Sequence, residues 1–175
     1  MVTRRQVAWG LFLLIGIVAA GYAKILWFRA RTGSPNAVAR LGRELPPLPV
    51  FDCAGRAVDV AKAARGRKSI IAFYSGSCRT CQELLALLQP IPSGLTLFLI
   101  HSRSINSSQN SIGPPLAWAS VFSDRNDVLS RSFPLAGVPV VLFVDEQGVL
   151  RDGLVGRRAL YRLRKKLQAF AETNR

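Results

Sequence analysis

Two cysteines separated by two residues stand where an apolar run gives way to an amphipathic one, and this placement constrains the fold of the 175-residue chain most strongly. The run before them, SIIAFYS at 69–75, suits a strand that is buried on both faces. The segment that starts at Cys81, CQELLALL, places its leucines on one side at helical spacing. We therefore predict that Cys78 and Cys81 lie in the first turn of a helix that follows a buried strand.

This arrangement favours redox chemistry at the two sulfurs. A spacing of i, i+3 puts both on one face of the turn, within reach of a disulfide. The helix N-terminus offers unpaired N–H groups and a partial positive charge, which favour a thiolate. Cys78, at the outer end, is predicted to be the nucleophile, and Cys81, one turn inside, the resolving thiol. Arg79 is predicted to activate Cys78, because a neighbouring cation favours the thiolate.

Other uses of the cysteine pair fit the sequence less well. A zinc site normally needs four ligands, and the chain offers only Cys53 and His101 beside the pair. A purely structural disulfide would contribute little, because closing a four-residue loop removes little entropy from the unfolded chain. We expect no metal and no cofactor. Cys53 has no partner at motif spacing and is expected to be a packed thiol.

The rest of the sequence alternates strand-like and helix-like runs. After a polar hairpin at 50–60 and the strand at 69–75, the patterns predict strands at 95–101, 118–122, 140–145 and 149–154, a helix that Asp124 or Asn126 caps and that runs to Phe133, and a terminal helix with its buried stripe at Leu160, Leu163, Leu167 and Phe170. Strands that alternate with helices predict an α/β fold with a mixed central sheet.

An apolar segment near the N-terminus is long enough to cross a membrane. Val7 to Phe28 comprises 22 residues with Lys24 as the one charge, and as a helix it would extend about 33 Å. We expect a membrane anchor at 1–28, a Pro-rich tether at 29–49 and a folded domain at 50–175. A cleaved secretory signal is the alternative, although the apolar residues at 25–28 argue against cleavage.

The side of the membrane on which the domain lies does not follow from charge. Arg4 and Arg5 precede the apolar segment and further arginines follow it, so the positive-inside rule favours neither orientation clearly. The cysteine chemistry leads us to expect a single-pass protein of the inner membrane whose domain faces the periplasm or the cell exterior.

The chain is strongly basic, with 24 Lys and Arg against 10 Asp and Glu and a formal net charge of +14. The densest basic run, Arg157 to Lys166, lies in the predicted terminal helix. It lacks the interleaved aromatic residues and the recognition motifs of nucleic-acid-binding modules. We therefore expect no nucleic-acid partner, and a solvated helix face beside anionic lipid.

A second motif, Gly137-Val138-Pro139, directly precedes the predicted strand at 140–145. Proline at the start of a strand has no donor to lose. Considered alone, the motif leaves open both an ordinary trans proline and a cis Val138–Pro139 bond. A cis bond would turn the chain sharply and expose the Val138 backbone to a partner strand.

The order strand, CxxC, helix, strand, GVP, strand, DEQG and strand resembles a thioredoxin fold over residues 47–166. With its anchor, tether and extra strand segment, the chain most resembles the membrane-anchored thioredoxin-like family of the TlpA/ResA type, which includes reductases of cytochrome c maturation. The MauD-like accessory proteins of methylamine utilisation are similar. The resemblance implies that Cys78 attacks a client, that Cys81 resolves the mixed disulfide and that Pro139 is a cis proline packed beside the disulfide, with Val138 and Pro139 as the client-binding residues.

The sequence departs from the family pattern around the cysteines. Ser77 stands where the family usually has Trp, and Ala72 stands where thioredoxins carry a buried Asp. Related reductases use a Glu inside CxxC, and Arg79-Thr80 supplies none. We expect Glu83 or solvent to replace the missing carboxylate as the proton acceptor for Cys81.

Together these patterns predict a membrane-tethered thiol-disulfide oxidoreductase that acts as a reductant in extracytoplasmic protein maturation, such as cytochrome c biogenesis. Its expected partners are a client protein with a cysteine pair, an integral-membrane electron donor and the lipid bilayer, which residues 7–28 would enter. Two alternatives stay open. One is a non-catalytic thioredoxin-fold module that docks a membrane enzyme. The other is a copper-delivery protein, because thiolates prefer Cu(I) and His101 follows Cys81 by 20 residues.

Overall fold

The computed structural model describes residues 41–102, 119–133 and 137–173, together with Gly16, Gly21 and Tyr22. The chain divides into two compact units, Met1–Ala37 and Val38–Arg175. In the first unit the three described residues are helical, and the rest of the predicted anchor lies outside the described residues. Among the described residues, no helix combines the length and the apolar character needed to cross a bilayer.

The second unit begins earlier than the predicted domain boundary at residue 50. The Gly42 N–H donates to the Leu150 carbonyl over 2.8 Å, and the side chains of Leu45 and Leu48 are buried. The last residues of the predicted tether therefore belong to the folded domain. They belong to it because the leucines of this Pro-rich segment are buried in the domain.

Seven strands and four helices form the described part of the second unit: β1 Pro49–Phe51, β2 Ala57–Asp59, α1 Val60–Ala64, β3 Ser69–Tyr74, α2 Arg79–Leu87, β4 Thr96–Ser102, β5 Ser120–Asp124, α3 Val128–Ser132, β6 Val140–Val144, β7 Leu150–Val155 and α4 Arg157–Glu172. The sheet order is β2-β1-β5-β4-β3-β6-β7. Strands β3, β4 and β5 run parallel, and the other pairs are antiparallel. The predicted mixed sheet is confirmed, and the strand predicted at 118–122 lies two residues further along the chain.

The β1–β2 hairpin confirms the predicted hairpin at 50–60. The Asp52 carboxylate closes its turn by accepting from the backbone N–H groups of Ala54 and Arg56. The hydrogen bond from the Arg56 backbone holds the pKa of Asp52 below its ordinary value. Cys53 lies in this turn and is exposed, so the expectation of a packed thiol is wrong. A turn residue at the tip of a hairpin has no core to pack against.

Strand β3 is the central element of the sheet, with β4 on one side and β6 on the other. All six of its residues are buried, as its uninterrupted apolar sequence predicts. Alternate residues point to opposite faces, and Ile70 and Ala72 belong to a cluster that includes Leu84 of α2 and Leu163 of α4. Helices α2 and α4 therefore cover the same face of the sheet.

Helix α4 confirms the predicted amphipathic pattern. Ala159, Leu163 and Leu167 are its buried residues, while Leu160 and Phe170 are half-buried. Of the six cations in the basic run, which was predicted to form a solvated face, five are exposed: Arg157, Arg158, Arg162, Arg164 and Lys165. The sixth, Lys166, is partly buried because it pairs with Asp152 of β7.

Both ends of α4 are hydrogen-bonded to residues that directly precede strands of the sheet. At its N-terminus the Gly156 N–H donates to the Pro139 carbonyl over 2.8 Å. Near its C-terminus the Lys68 ammonium donates to the Phe170 carbonyl over 3.1 Å and lies 5.6 Å from the Phe170 ring centroid. A cation is favoured there, because the last carbonyls of a helix are unpaired and carry partial negative charge.

Helix α3 is capped by a residue that lies four positions before it. The carboxylate of Asp124, fully buried at the end of β5, accepts from the backbone N–H groups of Val128 and Leu129 over 2.9 and 3.3 Å. Asp127, which directly precedes the helix, makes no side-chain cap. Of the two residues predicted to cap this helix, Asp124 or Asn126, Asp124 supplies the cap.

We expect the Asp124→Asn substitution to destabilise the domain by about 1–3 kcal/mol, because an amide nitrogen would replace one of two buried acceptors and leave an N–H of α3 unsatisfied. Urea unfolding followed by far-UV circular dichroism measures the effect. Asp127→Asn is the matched control and should change the free energy of unfolding by less than about 0.5 kcal/mol. Equal losses in the two variants would contradict the assigned cap.

Candidate active site

The cysteine pair lies where the central strand ends. After β3 the chain makes a short loop, and Cys78 then takes the N-cap position of α2. The Cys78 sulfur accepts from the Cys81 N–H over 3.2 Å, so it occupies the place that a serine or aspartate oxygen usually takes at a helix start. In the reduced state this donor and the helix dipole favour negative charge on Cys78.

The two cysteines form a disulfide and differ strongly in exposure. Their Cα atoms are 5.2 Å apart, within the range that a disulfide bridges. Cys81 is fully buried in the cluster under α2, whereas Cys78 is half-buried at its rim. The structure thus has one reachable sulfur and one shielded sulfur. This is the geometry that the predicted roles of nucleophile and resolving thiol require.

The GVP motif lies against the reachable sulfur. The Val138–Pro139 peptide bond is cis, as the resemblance implies, and the Val138 carbonyl oxygen lies 4.0 Å from Cys78 Sγ. Pro139 is buried, and Val138 is half-buried. The sheet ladder starts only at Val140, which is paired with Phe73, so the Val138 backbone lies beyond the ladder and beside the disulfide.

Arg79 lies next to Cys78 in sequence, but its side chain forms an ion pair with Glu83. Its side chain is 93% exposed, and its Nε lies 3.6 Å from the Glu83 carboxylate. The predicted activating residue is therefore partly neutralised by Glu83 on the outer surface of α2. Glu83 in turn is 52% exposed.

No described carboxylate lies in the cluster that holds Cys81. At the position where thioredoxins carry a buried Asp, Ala72 is fully buried and packs in the same cluster as Cys81. The buried Asp of thioredoxins is therefore replaced, in the packed site, by the apolar side chain of Ala72. Among the described residues, the surroundings of Cys81 are apolar.

Sequence reasoning missed two side chains that hold the loop before Cys78. The Gly76 N–H donates to Nε2 of His101 over 3.4 Å, and the Gln82 side-chain amide donates to the Gly76 carbonyl over 3.1 Å. His101 is buried and packs edge-on against Tyr74, with ring centroids 5.3 Å apart. Burial raises the pKa of the Tyr74 phenol. The signals in the sequence are weak: Gln82 lies one helical turn after Cys78, and His101 ends an apolar strand.

The described residues contain no group of three or more His, Cys, Asp or Glu side chains that could hold a metal ion. In particular, His101 is directed at Gly76, and Cys53 lies in the β1–β2 turn. The copper-delivery alternative therefore gains no support from this part of the chain.

We expect iodoacetamide to modify Cys78 at least 10-fold faster than Cys81 when the pair is reduced, because Cys81 is shielded and Cys78 is not. Cys53→Ser removes the exposed third thiol and provides the background for the measurement. Peptide mass spectrometry of timed samples gives both rates. Equal rates, or faster modification of Cys81, would contradict the assignment of the attacking and resolving sulfurs.

Comparison with known proteins identifies the fold. No protein-family model matches the sequence, and no curated protein is significantly similar to it. Among solved structures, a putative thiol:disulfide interchange protein DsbE from Chlorobium tepidum is 16% identical with a TM-score of 0.59, covering 75% of this chain and 96% of that one. An uncharacterized thioredoxin-like protein from Porphyromonas gingivalis is 22% identical with a TM-score of 0.58, covering 75% and 94%.

A third similar structure is the exposed lipoprotein thioredoxin of Streptococcus pneumoniae, 14% identical with a TM-score of 0.54, covering 71% of this chain and 99% of that one. At these identities the likeness concerns the fold. The folded domain of this protein has a thioredoxin-like α/β fold, a mixed sheet with flanking helices, and carries its close cysteine pair at the start of α2.

Proposed function

We propose that this protein is a membrane-tethered thiol-disulfide oxidoreductase that reduces disulfides in client proteins outside the cytoplasm. The observation that carries the proposal is the reachable Cys78 sulfur, disulfide-linked to the buried Cys81 and 4.0 Å from the Val138 carbonyl. The solved structures with the same fold include a putative thiol:disulfide interchange protein and a thioredoxin, which supports this reaction class.

The reaction begins with both cysteines reduced. The Cys78 thiolate attacks a client disulfide, forms a mixed disulfide and releases the first client cysteine as a thiolate, which takes up a proton. The Cys81 thiolate then attacks Cys78 Sγ and releases the second client cysteine. Two electrons pass to the client, and this protein is left with the Cys78–Cys81 disulfide that the structure shows.

The backbone at Val138 and Pro139 is proposed to hold the client during this exchange. An extended peptide needs backbone partners in order to present its disulfide along the attack line, and the Val138 backbone lies beyond the sheet ladder beside Cys78. A segment aligned here would place its own sulfur next to Cys78 Sγ. The loop that His101 and Gln82 hold would keep Cys78 in place for that approach.

The disulfide has to be reduced again before the next cycle. We propose that an integral-membrane dithiol donor carries out this step: one donor thiolate attacks Cys78 Sγ and Cys81 leaves. The second donor thiolate then attacks the bonded donor sulfur and releases Cys78, which leaves the donor with a disulfide. Confinement at a membrane would raise the effective concentration of such a donor. Clients with a cysteine pair, such as cytochromes c during maturation, are the proposed substrates.

The location of the domain is part of the proposal. The apolar sequence at 7–28 supports a single-pass anchor in the inner membrane, and the cysteine chemistry supports a domain that faces the periplasm or the cell exterior. Fused to the C-terminus, alkaline phosphatase, which needs disulfides for activity, should be active in the membrane fraction. A fusion that starts at residue 41 should be inactive and released into the soluble fraction. An inactive full-length fusion would contradict the orientation.

Client capture tests the reaction directly. In a Cys53→Ser background, Cys81→Ser removes the resolving thiol, so mixed disulfides through Cys78 should accumulate at least 10-fold over the parent. Non-reducing gels and mass spectrometry detect them, and reductant should release the clients. The matched control, Cys78→Ser with Cys81 retained, should trap almost none, since Cys81 is buried.

An insulin-reduction assay separates the oxidoreductase from the non-catalytic docking module. The oxidoreductase should lose its turnover of insulin in a Cys78→Ala variant, because no attacking sulfur remains. A docking module would show the same rate with and without Cys78. That second outcome, together with no trapped client, would overturn the proposed function.

A further inference from the structure

Three exposed arginines lie in the first turns of the two helices that begin near Cys78, and we name Arg79, Arg157 and Arg158 the arginine rim. Arg79 directly follows Cys78 at the start of α2, and its side chain is 93% exposed. Arg157 and Arg158 open α4 and are exposed. The rim is thus formed by the first turns of the two helices that cover the same face of the sheet.

The start of α4 lies close to the reactive sulfur because it is bonded to the cis-proline segment. Cys78 Sγ is 4.0 Å from the Val138 carbonyl oxygen, and the next carbonyl, of Pro139, accepts the Gly156 N–H over 2.8 Å. Adding one residue of backbone between those oxygens places the Gly156 nitrogen at most about 12 Å from Cys78 Sγ. Arg157 follows Gly156 directly.

The charge of the rim is poorly balanced within the described residues. Glu83 pairs with Arg79, but no described ion pair involves Arg157 or Arg158. The nearest acidic residue before α4 in sequence, Asp152, is paired with Lys166. The N-termini of α2 and α4 add partial positive charge at the same place. The start of α4, which begins near Cys78, therefore carries positive charge that no described acidic side chain balances.

An exposed aromatic ring adjoins this charge. Tyr161 lies one turn after Arg157 on α4 and is 81% exposed. Residues spaced by four are neighbours on a helix surface. Tyrosine and arginine are the residue types that most often dominate protein-binding surfaces. The combination favours a polypeptide as the occupant of this surface over a lipid headgroup alone.

We propose that the arginine rim selects client segments that carry acidic residues beside the reactive disulfide. This inference rests on the proposed oxidoreductase function and names its substrate class. Carboxylates of the client would pair with Arg157 and Arg158 while its backbone lies along Val138. Steering by opposite charge raises association rates, and it weakens as salt screens the charges.

Three synthetic peptides test the proposal. Each has one disulfide-bonded cysteine pair and an identical core, with Glu, Gln or Lys at four flanking positions. Stopped-flow measurement with the reduced Cys53→Ser protein gives the second-order rate constant of exchange. At low salt we expect the Glu peptide to react about 10-fold faster than the Gln peptide, and the Lys peptide about 10-fold slower. The differences should shrink in 0.5 M salt.

Charge reversal on the rim provides the matched comparison. Arg157→Glu/Arg158→Glu should abolish or invert the preference and leave the Gln peptide's rate within 2-fold. Arg164→Glu/Lys165→Glu changes the net charge by the same amount on the same helix, about 10 Å further along its axis, and should keep the preference. Fluorescence anisotropy with the same peptides, labelled and with serine in place of cysteine, measures docking without any exchange.

The outcomes separate the two proposals. If the three peptides exchange at equal rates, the rim does not select clients, while the oxidoreductase function stands. If both double variants lose the preference equally, net charge and not the rim is responsible, which also overturns the inference. If no peptide exchanges, the proposed function fails, and anisotropy still decides the rim: tighter binding of the acidic peptide, lost only in Arg157→Glu/Arg158→Glu, supports it, and equal binding rejects it.

Discussion

Burial of β3 on both faces fixes the position of the cysteine pair, on which the proposed function depends. The strand is held between β4 and β6 and is covered on one face by α2 and α4, so its last residue, Tyr74, is immobilised. Only a short loop separates Tyr74 from Cys78. A sulfur placed so close to the end of a buried strand has little freedom to move, and the Cys81 N–H constrains it further.

The cis-proline segment depends on the same strand. Strand β6 pairs with β3 from Val140 onward, so the residues just before it arrive beside the end of β3, where the cysteines are. The 4.0 Å approach of Val138 to Cys78 follows from this register. The site therefore lies where the C-terminal end of β3 meets the N-terminal end of β6, and its geometry depends on the pairing of these two strands.

The sequence predicted what local patterns encode. An apolar run of strand length predicted β3, and leucines at helical spacing after Cys81 predicted α2. The GVP motif became informative only through its order relative to CxxC. Contacts between distant segments were missed, because no local pattern contains them. Burial of Leu45 and Leu48 and the hydrogen bond from Gly76 to His101 belong to this class. Cys53 was misjudged for a local reason, because it lies in the exposed turn of the β1–β2 hairpin.

Helix α4 is hydrogen-bonded near its first turn to Pro139, directly before β6, and near its last turn to Lys68, directly before β3. A helix that is held at both ends cannot pivot about one of them without breaking a hydrogen bond at the other. A macromolecule bound to the cationic side of this helix would therefore be coupled, through the Gly156–Pro139 hydrogen bond, to the segment beside the disulfide. If the proposed client docks on this helix, its binding would act on the Val138–Pro139 segment, whose Val138 carbonyl oxygen lies 4.0 Å from Cys78 Sγ.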